Sequence, residues 1–467
     1  MNIPLTIKET QAGLLERKFT ASQLVDAYLN RISQFDKELN SFLTVSEKEA
    51  YSQAKKVDRL IDQLGEVALE RRPLLGAVVA HKDLFLTKGI RTTAGSKVLE
   101  SYVPVYSATV VEKLEKAGAI IIGKTNCDAW AHGASGENSD FGPTKNPWNK
   151  KYVPGGSSSG SAAAVAANLT LFATGTDTGG SVRQPANFCG LVGLKPTYGA
   201  VSRYGIVAMA SSLDSIGHLT RSVSDAEKIF AVTAGEDGKD STLKNPEIRK
   251  LNRKFKIGIP KEYFIKGLDQ EVEKAVLEVA RALEKEGVEL VDISLPHTKY
   301  AISVYYIIQP AEVSSNLGRY DGIRYGNNRS TFGNEAKRRI MLGTYVLSAG
   351  YYQAYYLKAM KVRSKIIEDF DRVFEKVDAI IAPVSPTPAF RLGEKAQDPL
   401  QMYLADVLTV AANLAGIPGL AIPSGFSEND LPLGFQLMGP RFSEGTLFEL
   451  GRFYEKVVGW KPTVAFQ

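Results

Sequence analysis

The chain has 467 residues, of which 44% are hydrophobic and 23% are charged, and its formal net charge is +6. This length suits one large α/β unit or two to three smaller domains, and the composition is typical of soluble proteins. The charge is too weak and too dispersed to indicate nucleic-acid binding, and no apolar run of about 18 residues predicts a membrane span. The N-terminus lacks the apolar core of a signal peptide, so we expect a cytoplasmic protein that meets no membrane directly.

The first predicted elements are helices. Thr20 opens a capping box, in which side chains accept N–H groups that the first helical turn leaves unpaired. Leu24, Tyr28 and Ile32 follow at four-residue spacing, which places them on one face of the helix. We therefore predict an N-terminal helical layer, residues 1–66, that packs on the rest of the chain.

Farther along, short apolar runs alternate with amphipathic segments. "LLGAVVA" lacks a helical period and is typical of a buried strand, and "SATVVEKLEKAGAIIIGKT" predicts a helix, a stop at Gly118 and a second strand. Residues 254–296 have the pattern strand, helix, strand, and two later helices lead into "DAIIAPV" and "GLAIPSGF". This alternation predicts one large α/β domain with a mixed sheet over residues 67–467.

Lys82 ends the apolar run "GAVVAHK". Burial disfavours the charged form of an amine, so we expect the pKa of Lys82 to fall below that of a free lysine. A neutral lysine amine is a competent general base. The alternative is a structural pair with the neighbouring Asp83 at the strand end.

Residues 133–217 are rich in glycine and contain two serine motifs. "PGGSSSGSAAAVAA" places Ser157 and its neighbours at a glycine turn before a helix, whose N-terminal N–H groups favour negative charge. Helix capping explains some of these serines as well. "TDTGGSVRQP" presents Ser181 after two glycines, in the manner of a turn that exposes a nucleophile.

A serine nucleophile needs a base, and none of the four histidines lies in an obvious serine-hydrolase context. The proton of Ser181 can instead pass to a second serine hydroxyl and on to neutral Lys82. The backbone N–H groups of the turn are then expected to line an oxyanion hole. They belong to Thr178, Gly179, Gly180 and Ser181.

Three motifs occur in order along the chain, namely Lys82, "GGSSSGSAAA" and "DTGGSVRQPANFCGLVGLKPT". In this order and spacing, the chain resembles the amidase signature family. The resemblance implies that Ser181 is the nucleophile, that Lys82 is the base, and that Ser157 is a bridging serine held by a cis peptide bond. It also implies the fold of the family, a single large domain in which helices cover both faces of a twisted mixed sheet.

Within this family, the resemblance is strongest to the glutamine-hydrolysing A subunits of tRNA-dependent amidotransferases. It is carried by the N-terminal stretch "TIKETQAGLLERKFTASQLVDAYLNRI" and by residues 136–149, 314–326, 335–356 and 402–419. It implies a heterotrimer with B and C subunits, through which the chain serves charged tRNA, either Glu-tRNA(Gln) or Asp-tRNA(Asn). The partner subunit then uses ATP and Mg²⁺, and we expect no cofactor in this chain.

A pocket for free glutamine needs a cation for the α-carboxylate and an anion for the α-ammonium. "KRRIM" supplies Arg338 and Arg339, and "MYLAD" supplies Asp406. The resemblance assigns substrate binding to Arg339 and Asp406, with Arg338 as an open alternative; surface ion pairs would explain the same residues. The segment between Tyr325 and Phe332 is shorter than usual in the family, which leaves the placement of the arginines open.

The sequence departs from the family at Cys127, Ala129, Trp130 and His132, where methionine, glutamate, phenylalanine and methionine are frequent. We expect these changes to alter the pocket lining or the ammonia route. His132 has no second histidine or carboxylate at ligand spacing, which predicts a polar pocket wall. Two cysteines, Cys127 and Cys189, are too few for a disulfide framework or a zinc site, so we expect buried free thiols and no metal.

Two other functions stay open from the sequence. A stand-alone amidase for small amides would share the triad and need no partner. A non-catalytic assembly protein that kept the fold would need none of Lys82, Ser157 and Ser181, so the presence of all three argues against it.

Overall fold

The computed structural model describes residues 2–244, 254–323, 326–396 and 398–465. Within these ranges, eleven strands form one sheet. The strands are β1 (Phe42–Val45), β2 (Val78–Lys82), β3 (Ile120–Thr125), β4 (Phe172–Asp177), β5 (Val192–Lys195), β6 (Ser215–Thr220), β7 (Lys256–Pro260), β8 (Glu289–Ile293), β9 (Ala379–Pro383), β10 (Gly419–Phe426) and β11 (Pro432–Met438). The helices are α1 (Ile7–Leu15), α2 (Ala21–Leu39), α3 (Glu47–Leu64), α4 (Val67–Arg71), α5 (Thr109–Lys116), α6 (Ser159–Ala166), α7 (Arg183–Cys189), α8 (Val223–Thr233), α9 (Gln270–Lys285), α10 (Ala301–Leu317), α11 (Asn334–Val346), α12 (Lys358–Phe374), α13 (Pro399–Leu404), α14 (Val410–Ala415) and α15 (Glu444–Val457).

The strand order across the sheet is β1-β3-β2-β4-β6-β5-β10-β11-β9-β7-β8. β2 pairs in parallel with β3 and β4, and β7 with β8 and β9, whereas the other neighbours run antiparallel. The predicted mixed sheet is therefore confirmed. Because β2 and β4 are parallel neighbours, their carboxyl ends lie at the same edge, which brings Lys82 beside the turn that follows Asp177.

Alternate residues of the central strands belong to two separate apolar cores. Ile381 and Leu437 lie in the core that includes the N-terminal helices and α15. Their chain neighbours Ile380 and Met438 lie in the core formed with α10, α12 and α14. Successive side chains of a strand point to opposite faces, so helices cover both faces of the sheet, as predicted.

The N-terminal helices pack on the edge of the sheet where β1 and β3 lie. Thr20 and Gln23 form the predicted capping box at the start of α2, and Leu24, Tyr28 and Ile32 are buried in the core. Five of the eleven strands that the structure describes were not predicted, namely β1, β4, β5, β6 and β11. Of these, β1 follows α2 and pairs antiparallel with β3. The boundary between this layer and the main domain stays a prediction.

The pattern strand, helix, strand over residues 254–296 is confirmed as β7, α9 and β8. The long helix predicted before β9 begins with a π-helical segment, Tyr352–Leu357, and continues as α12. No helix among the described residues is both long enough and apolar enough to cross a membrane.

Candidate active site

Lys82, the last residue of β2, is fully buried among three hydroxyl groups. Its Nζ lies 2.8 Å from Ser157 Oγ, 3.0 Å from Ser158 Oγ and 2.8 Å from Thr176 Oγ1. Burial lowers the pKa of Lys82 to about 8, although the acidic groups around it act in the opposite direction. A neutral amine has two N–H donors and one lone pair, so two of these hydroxyls can accept a hydrogen bond while the third donates to Nζ.

Ser157 stands two residues before α6, and the peptide bond that joins it to Gly156 is cis. The Gly156 N–H donates to Gln184 Oε1 at 2.9 Å. The next residue, Ser158, donates its N–H to the carbonyl of Ser181 at 3.2 Å, which joins the two serine motifs. Among the described residues, no hydrogen bond links the hydroxyls of Ser157 and Ser181.

Asp177, the last residue of β4, ties down the Ser181 turn. Its Oδ1 accepts the Gly180 N–H at 2.8 Å, and its carboxylate pairs with Arg183 at 3.1 Å, with both side chains fully buried. Burial raises the pKa of Asp177, but Arg183 outweighs this effect and holds the pKa at about 2. The Gly180 N–H is therefore occupied, which departs from the prediction that it faces an oxyanion.

Asp406 is held against the same turn. The hydroxyl of Thr409 lies 2.6 Å from the carbonyl oxygen of Gly179 and 3.0 Å from that of Asp406. The Tyr306 hydroxyl donates to Asp406 Oδ2 at 3.5 Å. Burial raises the pKa of Asp406 to about 8, and the nearby Arg339 acts against this shift.

Arg339 is buried on α11 between polar and aromatic partners. Its Nε donates to Glu335 Oε1 at 2.8 Å, and its Nη1 donates to Gln309 Oε1 at 2.9 Å. The guanidinium carbon lies 5.4 Å from the ring centroid of Tyr306 and 5.7 Å from that of Tyr403. These two hydrogen bonds use two of the five N–H donors of a guanidinium, so the group retains donors for a carboxylate.

Arg338, the open alternative, also pairs with Glu335, but its side chain is 44% exposed, against 4% for Arg339. Both arginines line the same cavity. Tyr325, at the start of the predicted short segment, lies outside the described residues.

A cavity of about 360 Å³ opens beside Arg339, and its walls include His132, Glu137, Tyr306, Glu335, Arg338 and Tyr403. Tyr306 connects this cavity to Asp406, to which its hydroxyl donates. A larger cavity of about 630 Å³ has Tyr102, Tyr106 and Tyr320 in its walls and contains none of the predicted site residues.

Several groups at this site were not predicted. Thr176 and Ser158 contact Lys82. The hydroxyl residues of the strand "FATGTD" were the available signal for Thr176, and the serine run "GGSSSG" was the signal for Ser158. Asp177 and Arg183 were signalled by two charges inside the glycine turn motif. No sequence pattern indicated Tyr306, because α10 is remote in sequence from the other parts of the site and is brought to them only by the fold.

Cys127 and Cys189 are buried free thiols, as predicted. Burial raises the pKa of Cys127 to about 12, so its thiol stays protonated at neutral pH. In the part of the chain that the structure describes, no group of three or more histidine, cysteine, aspartate or glutamate side chains is placed to hold a metal ion.

A buried lysine that faces two serine motifs at the edge of a mixed sheet is the arrangement that the amidase resemblance implied. The Amidase family model matches residues 23–448, and the chain belongs to this family. It is 52% identical to the A subunit of glutamyl-tRNA(Gln) amidotransferase from Carboxydothermus hydrogenoformans, over 97% of both chains. It is 50% identical to the corresponding protein of Koribacter versatilis, over 97% of this chain and 98% of that one. The crystal structure of the Thermotoga maritima counterpart is 41% identical and matches with a TM-score of 0.81, over 97% of this chain and 96% of that one.

Proposed function

We propose that this chain is the glutaminase subunit of a tRNA-dependent amidotransferase. It hydrolyses glutamine and supplies ammonia for the transamidation of Glu-tRNA(Gln), or of Asp-tRNA(Asn), by a partner subunit. The observation that carries the chemistry is the buried Lys82 amine 2.8 Å from the Ser157 hydroxyl. The full-length likeness to amidotransferase A subunits favours this function over that of a stand-alone amidase.

The reaction starts with a proton relay. A lysine with a pKa of about 8 is partly neutral at neutral pH, so Lys82 Nζ accepts the proton of Ser157 while Ser157 Oγ accepts that of Ser181. Ser181 Oγ then attacks the amide carbon of glutamine. The carbonyl oxygen becomes negatively charged and is stabilised by the N–H groups of Thr178, Gly179 and Ser181, each typically worth about 10²–10³ in kcat.

Collapse of the tetrahedral intermediate breaks the C–N bond. The proton held by Lys82 returns through Ser157 to the leaving nitrogen, which departs as ammonia. Water then attacks the glutamyl ester of Ser181 with the same relay as base, releases glutamate and restores the serine. The partner subunit uses the ammonia, together with ATP and Mg²⁺ bound at its own site.

Glutamine is selected by its two α-groups. Arg339 retains N–H donors after its bonds to Glu335 and Gln309, and a planar guanidinium suits a carboxylate. Asp406 lies against the Ser181 turn and pairs with the α-ammonium, whose positive charge stabilises the ionised form of the carboxyl. We keep Arg339 in preference to Arg338 because its side chain is buried in the cavity wall beside Tyr306.

The outer side of α11 and the segment after it support a partner surface. Met341 is 72% exposed, and it belongs to a tyrosine patch of exposed large side chains made of Met341, Leu342, Tyr345, Leu347, Tyr351, Tyr352 and Tyr355. Such patches are typical of protein interfaces, in which tyrosine and methionine are enriched. Since Arg339 lies on the same helix, we assign the patch to the B subunit, which uses the ammonia. The heterotrimer is completed by a C subunit, in the cytoplasm where tRNA is charged.

The test measures glutamine hydrolysis by Ser181→Ala and Lys82→Arg. Ser181→Ala removes the nucleophile, and Lys82→Arg introduces a guanidinium that stays protonated at neutral pH and cannot act as a base. We therefore expect kcat to fall at least about 10³-fold in both variants. Lys124→Arg is the matched control, because Lys124 is an equally buried lysine that pairs with Asp83 at 3.1 Å, and it should keep most of the activity. Activity in Lys82→Arg near that of the wild type would exclude the lysine base. A wild-type protein that cleaves small neutral amides but not glutamine would restore the stand-alone amidase.

A further inference from the structure

His132 lies in the wall of the 360 Å³ cavity, which Arg339 also lines. Its side chain is fully buried, and neither of its ring nitrogens has a hydrogen-bond partner among the described residues. Buried polar atoms nearly always have a partner. Two unpaired nitrogens on one ring in a cavity wall therefore point to a polar ligand at this position.

The backbone before His132 is held in an unusual conformation. Trp130 has φ of 60° and Ala131 has φ of 63°, in the left-handed region that residues other than glycine rarely adopt. The Trp130 ring packs against Tyr320 and Phe332, with centroid distances of 4.7 and 5.3 Å. This packing anchors the segment whose next residue presents the imidazole to the cavity.

The charge state of the ring restricts what it can bind. Burial and the positive charge of Arg339 lower the pKa of His132 well below its usual range, so the imidazole is neutral. A neutral imidazole has one N–H donor and one acceptor nitrogen. Unlike Glu137 in the same wall, it can donate a hydrogen bond to an anion, and Arg339 attracts an anion to this end of the cavity.

We propose that His132 is a specificity-determining residue, whose ring N–H donates to the substrate carboxylate that Arg339 binds. The contact favours amides that carry a carboxylate close to the scissile group. It deepens the proposed function and rests on it, since glutamine is the substrate whose α-carboxylate would be held.

The test compares KM and kcat for glutamine and for propionamide in His132→Met, His132→Asn and His132→Gln. Methionine keeps the volume without a donor, whereas asparagine and glutamine place an amide N–H near the position of Nδ1 or Nε2. In His132→Met we expect KM for glutamine to rise about tenfold, with little change in kcat and none in KM for propionamide. One of the two amide variants should restore KM. His218→Gln is the matched control, since His218 is also buried but its Nε2 already bonds the Ala226 carbonyl at 2.8 Å.

An unchanged KM for glutamine in His132→Met, beside a raised KM in Arg339→Ala, would overturn the role of His132 and leave the proposed function standing. Equal losses on both amides would also overturn it, because they indicate structural support. If Arg339→Ala leaves KM for glutamine unchanged and the wild type prefers propionamide, the proposed function itself fails. Should His132→Met not fold, calorimetric binding of glutamine to the two amide variants in a Ser181→Ala background decides. At least one should bind about tenfold more weakly, and equal binding by both would overturn the inference.

Discussion

At the scale of single residues, burial shifts the pKa of the acid and the base of this site towards one another. It lowers the pKa of Lys82 to about 8 and raises that of Asp406 to about 8. Burial also opposes the charge of Arg339, but Tyr306 and Glu335 outweigh it and raise the pKa of the guanidinium. The site therefore holds a permanent cation near Asp406 and, at Lys82, an amine that exchanges protons near neutral pH. Such an amine suits a base that must accept a proton during the reaction.

The pKa of Asp406 predicts how glutamine binding depends on pH. Below about pH 8 the carboxyl is mostly protonated, and pairing with the α-ammonium requires the carboxylate, so binding releases a proton. Affinity should thus rise with pH, by up to about tenfold per unit between about pH 6 and 7.5, as long as the α-ammonium stays charged. Burial is the largest effect on this carboxyl: Asp177 adds to the rise in its pKa, whereas Arg339, Arg183 and the Tyr306 hydroxyl oppose it.

Calorimetry of glutamine binding to Ser181→Ala, in buffers of different ionisation enthalpy, measures both the affinity and the proton released. Asp406→Asn in the same background is the control and should bind weakly without this slope. An affinity independent of pH in the parent would contradict the pairing of Asp406 with the ammonium.

At the scale of elements, α11 connects the interior of the site to the surface. Arg339 points from it into the cavity, where it contacts Gln309 of α10. Met341 and Tyr345 lie on the same helix and are exposed. Gly343 faces α10 so closely that a Cβ atom there would lie 1.8 Å from the carbonyl oxygen of Pro310, so the two helices are in direct backbone contact. A partner bound on the tyrosine patch therefore acts on an element that is rigidly attached to the substrate site.

The tyrosine patch predicts a specific loss of assembly. Replacement of Met341 and Tyr345 by serine should weaken binding of the B subunit by about 10–100-fold, because large interface side chains dominate binding energy. Glutamine hydrolysis by the chain alone should stay unchanged, since neither side chain belongs to the site. Co-purification and biolayer interferometry with the B subunit measure the effect. Tyr300→Ser removes a tyrosine of similar exposure, 46%, elsewhere on the surface and should bind normally. Normal assembly of the double variant would exclude this surface as the interface.

At the scale of the whole molecule, one sheet gathers a site from widely separated parts of the chain. β2 carries Lys82, β4 leads into the Ser181 turn, and the segment before α14 carries Asp406. The N-terminal layer shares this sheet through β1, which pairs with β3 next to β2. The layer and the site are therefore parts of one packed structure.

This arrangement predicts that a destabilising substitution in the N-terminal layer also lowers the stability of the active site. Leu24 is buried in the core, and Leu24→Ala should lower the free energy of unfolding by about 2–5 kcal/mol. Urea titration followed by far-UV circular dichroism, which reports the helices of the layer, and by glutamine hydrolysis should show both signals lost in one transition at lower urea. Val67→Ala, at a position that is 42% exposed, should leave the transition in place. An N-terminal layer that unfolds first while hydrolysis persists would show that the two parts are independent.

The sequence by itself determined six strands, the capping box at Thr20 and the motifs that carry Lys82, Ser157 and Ser181. The six strands are β2, β3, β7, β8, β9 and β10. These features are local, because apolar period, capping and glycine turns follow from backbone geometry within a few residues. Only the tertiary structure decided that β1 joins the sheet, that Thr176 contacts Lys82, and that Asp177 occupies the Gly180 N–H.

The arrangement of the proposed substrate-binding residues was even less predictable from the sequence than that of the catalytic motifs. Arg339 and Asp406 lie on separate elements, and both contact Tyr306 of a third element, α10. The unpaired ring nitrogens of His132 can be recognised only in the folded structure, in which His132 is part of the cavity wall. Such contacts are set by how helices pack on the two faces of a sheet, and that packing depends on residues distant along the chain. No local pattern therefore indicates which of the two arginines turns inward. In the structure Arg339 is buried and its neighbour Arg338 is exposed, because only one side of α11 meets α10.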